Sequence, residues 1–361
     1  MSENMENKEI KYDISSMNID EISALVNELN EPKFRAKQIY TWLNDKQVRS
    51  FDEMTNLSVS LREKLKEKAF ITEVSTLHRL TSQKDGTNKF LLRLGDGNCI
   101  ETVWMEYHHG VSLCISTQVG CRQGCKFCAS TLGGLVRSLT AGEMLGEIYE
   151  VQRQMGKRIS SLVLMGIGEP LDNFDNVMKF LGILSSAEGQ NLSLRHVSLS
   201  TCGIVPNIYK LAELKTGLTL SVSLHAANNE TRSKLMPINR KYDIDELMTA
   251  CKDYFKITGR RISYEYALIL GENDNKESAD ELVSLLKGQN CHVNLIPVNP
   301  VEERGTKRGT KEDIQKFVRY VESKGLNVTV RRELGGDINA ACGQLRRDYE
   351  LGAASRRFND E

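Results

Sequence analysis

The sequence predicts an α/β fold: a helical module at the N-terminus, a β-meander, and then six successive βα units. Three observations predict it. Apolar residues recur at three- and four-residue spacing through residues 18–68, and turn-punctuated β-rich runs fill 71–107. From residue 111 onward, short apolar strands alternate with amphipathic helices in units of about 30 residues. Such a series implies parallel strands joined by right-handed helical crossovers.

The helical module is written in "NIDEISALVNEL", "EPKFRAKQIYTWLNDK" and "SVSLREKLKEK". Asn18 with Glu21 has the form of a capping box, and Pro32 stands near the start of the second helix. "KFLLRL" and "CIETVWM" have strand composition, are separated by the turn-rich "GDGN", and follow an Asp85-Gly86 turn. The first unit is "VSLCIST" with "TAGEMLGEIYEVQRQM", the second "SLVLMGI" with "NVMKFLGILSSA", the third "HVSLST" with "IVPNIYKLAEL". "LTLSVSL" with "IDELMTACKDYFK", "ISYEYALIL" with "SADELVSLLKG", and "HVNLIPV" with "EDIQKFVRYVESKG" complete the set, before a last strand "NVTVRR". Thr140 with Glu143 and Thr310 with Asp313 cap two of the helices. The expected divisions are 1–70 (helical module), 71–110 (meander), 111–345 (βα core) and 346–361 (tail). A closed eight-unit barrel needs more chain, which leaves a partial barrel or a doubly wound sheet. Either one gathers ligands at the carboxyl ends of its strands.

Composition excludes several classes. Forty-eight basic and 48 acidic side chains cancel, so bulk charge argues neither for nor against a polyanionic partner. The N-terminal "MSENMENKEIKYDIS" has neither a basic nor an apolar signal region, and no apolar run approaches the roughly 18 residues of a membrane span. The nine cysteines are odd in number and scattered, unlike a secreted disulfide framework. A cytoplasmic location is expected, with the special cysteines acting as ligands or catalytic groups.

The most informative stretch is "CRQGCKFCAS", where Cys121, Cys125 and Cys128 are spaced C-x3-C-x2-C directly after the first βα strand. Thiolates select zinc, copper(I) or iron–sulfur clusters. Structural zinc takes four ligands, usually as two short hooks, and the second hook is missing. Electron-transfer 4Fe–4S clusters also take four cysteines. Three ligands leave one iron of such a cluster open, and Phe127 adds an aromatic wall.

This spacing, with an aromatic before the last cysteine and six βα units following, resembles the radical S-adenosylmethionine (SAM) superfamily. The resemblance implies a partial (β/α)6 barrel and a 4Fe–4S cluster on Cys121, Cys125 and Cys128. It also implies SAM chelated to the open iron and cleaved by one electron to a 5′-deoxyadenosyl radical. "MGIGEPL" places Gly166, Gly168 and Glu169 where superfamily members hold the SAM amino group. Ser200 of "LSTCG", Ser223, Leu224 and His225 of "SLHA", and Asn299 of "NLIPVNP" stand at the ends of later strands as further SAM contacts. The alternative for the cysteines is an adventitious zinc site.

Two further cysteines narrow the resemblance: Cys114 in "LCISTQVGC" and Cys342 in "GGDINAACGQLR". With "EPKFRAKQIYTWL", "SFDEMTNL", "IETVWM", "LMPIN" and "LIPVNP", these strings resemble the RlmN/Cfr family of RNA adenosine methyltransferases along nearly the whole chain. The family chemistry answers a physical problem, because carbon 2 of adenine is not a nucleophile and cannot attack a SAM methyl directly. The resemblance implies that Cys342 takes a methyl from one SAM and that a second SAM supplies the radical that removes hydrogen from that methyl. The methylene then adds to the base, Glu101 accepts a proton, and Cys114 attacks Cys342 to leave a transient disulfide. Pro170 of Gly-Glu-Pro resembles the C2 branch rather than the C8 (Cfr) branch. Ser138 and Cys202 depart from the family pattern.

The expected partners are 23S rRNA and tRNA, with a reducing electron donor such as flavodoxin and no membrane. Arg331, Arg332, Arg346, Arg347, Arg356 and Arg357, with lysines of "PKFRAKQ" and "TKRGTK", are candidate phosphate contacts. A C8 methylase is the nearer alternative. A non-catalytic iron–sulfur or zinc RNA-binding protein is the more distant one.

Overall fold

The computed structural model describes residues 11–340. Ten strands make one mixed sheet: β1 (Val74–Thr81), β2 (Asn88–Leu94), β3 (Cys99–Tyr107), β4 (Gly110–Cys114), β5 (Ser161–Leu164), β6 (Val197–Thr201), β7 (Thr219–Ser223), β8 (Ile262–Leu268), β9 (Cys291–Pro297) and β10 (Val328–Val330). They lie side by side in chain order, antiparallel from β1 to β4 and parallel from β4 to β10. A doubly wound sheet reverses its strand order part-way. This one never does, so the partial barrel is the architecture and the doubly wound alternative falls.

The parallel strands alternate with helices α4 (Ala141–Met155), α5 (Phe174–Ser185), α6 (Val205–Leu214), α8 (Ile244–Thr258), α9 (Lys276–Leu286) and α10 (Lys311–Ser323), as the periodicity requires. The fourth unit also carries a short helix α7 (Asn229–Leu235), which its polar "NETRSKL" does not announce. The meander does not stand apart. Its last strand β3 pairs with β4, Val103 opposite Cys114, so the meander continues the barrel sheet. A two-stranded ribbon of Gln118–Gly120 and Leu135–Ser138 brackets the cysteine loop.

The N-terminal helices α1 (Ile19–Glu28), α2 (Phe34–Asn44) and α3 (Val59–Lys68) share one apolar core with the barrel, Ile22, Ile39 and Leu61 joining Leu145, Ile148 and Phe180. The Asn18 box forms as read: Asn18 N donates to Glu21 at 2.8 Å and Glu21 N to the Asn18 side chain at 2.9 Å. Helix α4 is the bearing surface. Gly142 N donates to Ser16 Oγ at 2.8 Å, and a Cβ at Gly142 would stand 2.8 Å from Thr72 Oγ1 and 2.9 Å from Ser15 Cβ. Tyr149 OH donates to Asn44 Oδ1 at 2.9 Å across the same contact.

Glu150 of α4 ties this docking together electrostatically. It is 2% exposed, ion-pairs with Arg49 and Arg153, and accepts from Thr76 Oγ1 at 2.8 Å. Burial pushes its carboxyl up, but hydrogen bonds from Thr76, Gln154 and Arg153 and the charge of Arg49 outweigh burial and hold it at about 2. A carboxyl depressed in the folded state contributes stability above its ordinary value of 4.5, and loses that contribution as pH falls towards 2. Glu150→Gln is therefore expected to cost about 2 kcal/mol at neutral pH. Urea unfolding of both proteins should show that gap closing below pH 4.5. A gap that stays constant down to pH 3 would refute this account of Glu150.

Candidate active site

The cysteine loop leaves the sheet just past the end of β4. Ile115 N still donates to Val163 O at 3.1 Å, and then Thr117 N and Gln118 N both donate to Ile167 O, at 2.8 and 3.1 Å. Backbone bonds shape the loop itself, Cys121 N to Gly134 O at 3.0 Å and Lys126 N to Leu235 O at 2.9 Å. Thr131 Oγ1 donates at 2.9 Å to Cys128 O and receives a bond from Arg304 Nη2 at 2.6 Å. Cys121 and Cys125 are buried, and Cys128 is half-buried. Burial raises the Cys121 thiol to about 12 and pushes Cys125 well up, with the neighbouring cysteines adding to the rise. Left as thiols, these groups stay protonated.

A cavity of about 150 Å³ opens between this loop and the strand ends, lined by all three cysteines, Gly168, Glu169, Ser200, Ser223, His225 and Asn299. The residues singled out after β5, β6, β7 and β9 therefore do converge. Gly166 and Gly168 earn their place sterically. A Cβ on Gly166 would stand 2.5 Å from Ile115 O, and one on Gly168, whose φ is +108°, 2.6 Å from Gln118 Cβ. Glu169 is 4% exposed and accepts from Leu171 N at 3.0 Å and Cys202 N at 2.7 Å, so its side chain braces two loops. Leu224 is the exception. Its side chain lies in the core and does not line the cavity, and its backbone is engaged by Glu265 O and Arg232 Nε.

His225 has φ +56°, and its Nδ1 accepts from Ala267 N at 2.8 Å. Nδ1 as acceptor requires the neutral ring with hydrogen on Nε2. Burial, with the charge of Arg232 second, lowers the imidazole to about 3. Phe127 packs edge-on against it at 4.6 Å between centroids.

A second cavity, of about 240 Å³, adjoins the first, and Met165, Ile296, Asn299 and Arg331 line both. Cys114 lines this second space and packs with Val103, Met105, Ile167 and Ala340. Glu101 lies on the same face of β3 as Val103, and its Oε1 is 2.9 Å from Lys89 Nζ. Lys89 also donates to Asn339 O at 3.3 Å. Cys342, Arg346, Arg347, Arg356 and Arg357 lie outside the described residues.

Comparison with known proteins is consistent along the chain. Residues 115–286 match the family model of the radical SAM superfamily, and residues 12–71 that of the ribosomal RNA large subunit methyltransferase N-terminal domain. A probable dual-specificity RNA methyltransferase RlmN of Lachnoclostridium phytofermentans is 54% identical, over 94% of this chain and 95% of the relative. One of Clostridium novyi is 50% identical, over 93% and 98%. The chain belongs to the RlmN family of radical SAM methyltransferases. A crystal structure of a radical SAM methyltransferase from Sphaerobacter thermophilus superposes with a TM-score of 0.89 at 40% identity, over 93% of this chain and 100% of that one.

The superfamily's cofactors are a 4Fe–4S cluster and SAM, and the residues present fit them. Among the described residues no three His, Cys, Asp or Glu side chains converge on one point as the ligands of a single ion do. The three cysteines are instead ranged around a cavity wall, as a cuboidal cluster needs and one zinc ion does not. Sequence reasoning missed Glu265, a 3% exposed acidic residue on β8 that lines the three-cysteine cavity and accepts from Asn294 Nδ2 at 2.7 Å. Its signal was a charge inside the strand pattern "ISYEYALIL". Arg331, read as a phosphate contact, stands between the two cavities.

Gly168→Ala is expected to weaken SAM binding at least tenfold, because its Cβ must displace Gln118 and its φ costs about 1–3 kcal/mol of strain. Titration calorimetry of the reconstituted protein checks this. Gly182→Ala, where a Cβ meets nothing within 4 Å, is the control and should bind normally.

Proposed function

We propose that this enzyme methylates carbon 2 of an adenosine in 23S rRNA and in tRNA, with Cys342 as methyl carrier, Cys114 as resolving thiol and Glu101 as base. One observation carries the reading. Cys114 lines a cavity that adjoins the three-cysteine cavity, and the wall of that cavity includes Ala340. Only Ala341 stands between Ala340 and Cys342 in the sequence. The printed name of the relatives, dual-specificity RNA methyltransferase, supports an RNA substrate of more than one kind. Those RlmN relatives, together with Pro170, favour carbon 2 over carbon 8.

Cys121, Cys125 and Cys128 would hold the cluster, and Gly168, Glu169, Ser200, Ser223, His225 and Asn299, which line the cavity, would surround SAM. Bound there, the two cofactors supply the one-electron chemistry that removes a hydrogen atom from a methyl group. The protein's own side chains do the rest. Cys342 presents the methyl as a thioether and becomes covalently linked to the base through that carbon. Glu101, whose Oε1 stands 2.9 Å from Lys89 Nζ, accepts the C2 proton. Cys114, which lines the cavity with Ala340, attacks the Cys342 sulfur as a thiolate; a transient disulfide forms as the sulfur–carbon bond breaks, and the freed carbon takes up a proton to become the methyl group of the departing RNA. The reading carries with it a cytoplasmic location and a low-potential donor such as flavodoxin. Among the described residues no helix is long and apolar enough to cross a membrane.

The test is nucleoside mass analysis after incubating anaerobically reconstituted protein with SAM, reductant and unmethylated 23S rRNA or tRNA. 2-Methyladenosine is expected from both RNAs and none from Cys342→Ala; 8-methyladenosine would assign the other branch. Cys114→Ala is expected to accumulate a protein–RNA adduct that survives denaturing electrophoresis, since nothing then releases Cys342. Glu101→Gln should slow turnover by about 10²–10⁴-fold. Release of product at the normal rate by Cys114→Ala would refute its role as resolving thiol.

A further inference from the structure

Among the described residues, Arg232 of α7 is the largest fully buried charged side chain, at 0% exposure. Its Nε donates to Leu224 O at 3.2 Å and its Nη1 to Asn239 Oδ1 at 2.8 Å. Its Nη2 donates to Cys202 O at 2.8 Å and to Ser223 O at 3.2 Å. Every one of these acceptors is neutral. A guanidinium does not give up its proton in a protein, and a buried charge is ordinarily paired with an opposite one. Hydrogen bonds to carbonyl oxygens orient the group but leave its charge uncompensated.

Cys202, whose carbonyl Arg232 binds, packs in one apolar cluster with Cys125 and lines the same cavity. Cys125 is a cluster ligand, and ligation makes it a permanent thiolate. His225, which lines the same cavity, accepts from Ala267 N through Nδ1, so its ring is neutral and supplies no second cation. Arg304 also reaches the cysteine loop, through Thr131, but it is half-buried and solvent screens it.

We infer that Arg232 is the internal counter-charge of the iron–sulfur cluster, and that the same guanidinium braces the loops after β6 and β7 that line the SAM cavity. This rests on ligation by Cys121, Cys125 and Cys128. A cluster carrying three thiolates is net anionic and becomes more so on taking an electron. A fixed buried cation therefore favours the reduced state and eases the electron's entry. The brace follows from the bond pattern: Cys202 belongs to one loop, Ser223 and Leu224 to the other. Arg232 is thus a positioning and tuning residue and touches neither reacting atom.

Two variants of the full chain separate charge from shape. Arg232→Met removes both charge and brace. Asn239→Asp leaves the guanidinium in place and sets a carboxylate against Nη1, neutralising it inside the core. Each would be reconstituted without SAM and its cluster titrated by electron paramagnetic resonance against solution potential. Both should shift the midpoint to more negative values by an amount equivalent to about tenfold in the reduction equilibrium, which is 59 mV for one electron. Arg304→Met should shift it far less. Weaker SAM binding is expected in Arg232→Met but not in Asn239→Asp, where the brace is intact.

A folded, cluster-loaded Asn239→Asp with the wild-type midpoint would overturn the counter-charge. That result would leave Arg232 as a brace alone. If Arg232→Met fails to fold, Asn239→Asp decides the matter by itself. Failure of the underlying ligand assignment looks different, since the wild-type protein would then take up no cluster and give no resonance to titrate.

Discussion

The carbonyl oxygen of Ile167 accepts two backbone donors, Thr117 N and Gln118 N, and the rest of the site depends on that junction. It brings the segment leading into the cysteine loop hard against the loop after β5, so closely that Gly166 and Gly168 have no room for a Cβ. From there Glu169 reaches Cys202 N, and Arg232 links Cys202 to Ser223 and Leu224. Four successive strand ends are thus joined by a chain of bonds from one backbone contact. A cavity assembled this way is preorganised, because none of its walls waits for a ligand to hold it.

Low dielectric does much of the chemistry's preparation. Burial raises the cysteine thiols, raises Glu169 and lowers His225, each shift favouring the uncharged form. Polar groups in such surroundings are hydrogen-bonded or they are costly. Glu169 and His225 meet that requirement through backbone N–H groups, which are rigid and bring no competing charge.

The meander contributes more than an edge. Ser82 Oγ donates to Asp337 at 2.7 Å, Gly335 N donates to Asp85 at 2.9 Å, and Lys89 reaches Asn339 O. The turn after β1 and the first residues of β2 therefore grip the segment that leads on to Cys342. Val103 opposite Cys114 puts Glu101 on the face shared with that segment. Residues some 250 positions apart in sequence meet because β3 hydrogen-bonds to the first barrel strand.

The sequence alone determined what is local and periodic. The helical repeats, the capping box at Asn18, the alternation of strands and helices, and the three-cysteine spacing are all set by neighbours within a few residues. Motif resemblance carried Ser200, Ser223, His225 and Asn299 to one end of the strands, and parallel topology then made them meet. Only tertiary structure decided that the strands run in unbroken order, since strand pairing is a long-range choice that no short window encodes. It likewise decided that Leu224 faces the core, that Arg331 divides two cavities, and that Glu265 is buried beside the three-cysteine cavity. Arg232 shows the limit most clearly. In "ETRSKL" it reads as one more cation on a polar helix, and nothing short of the packed barrel reveals a guanidinium sealed among carbonyl oxygens. Burial and charge pairing are properties of what surrounds a residue, and the surroundings arrive from distant parts of the chain.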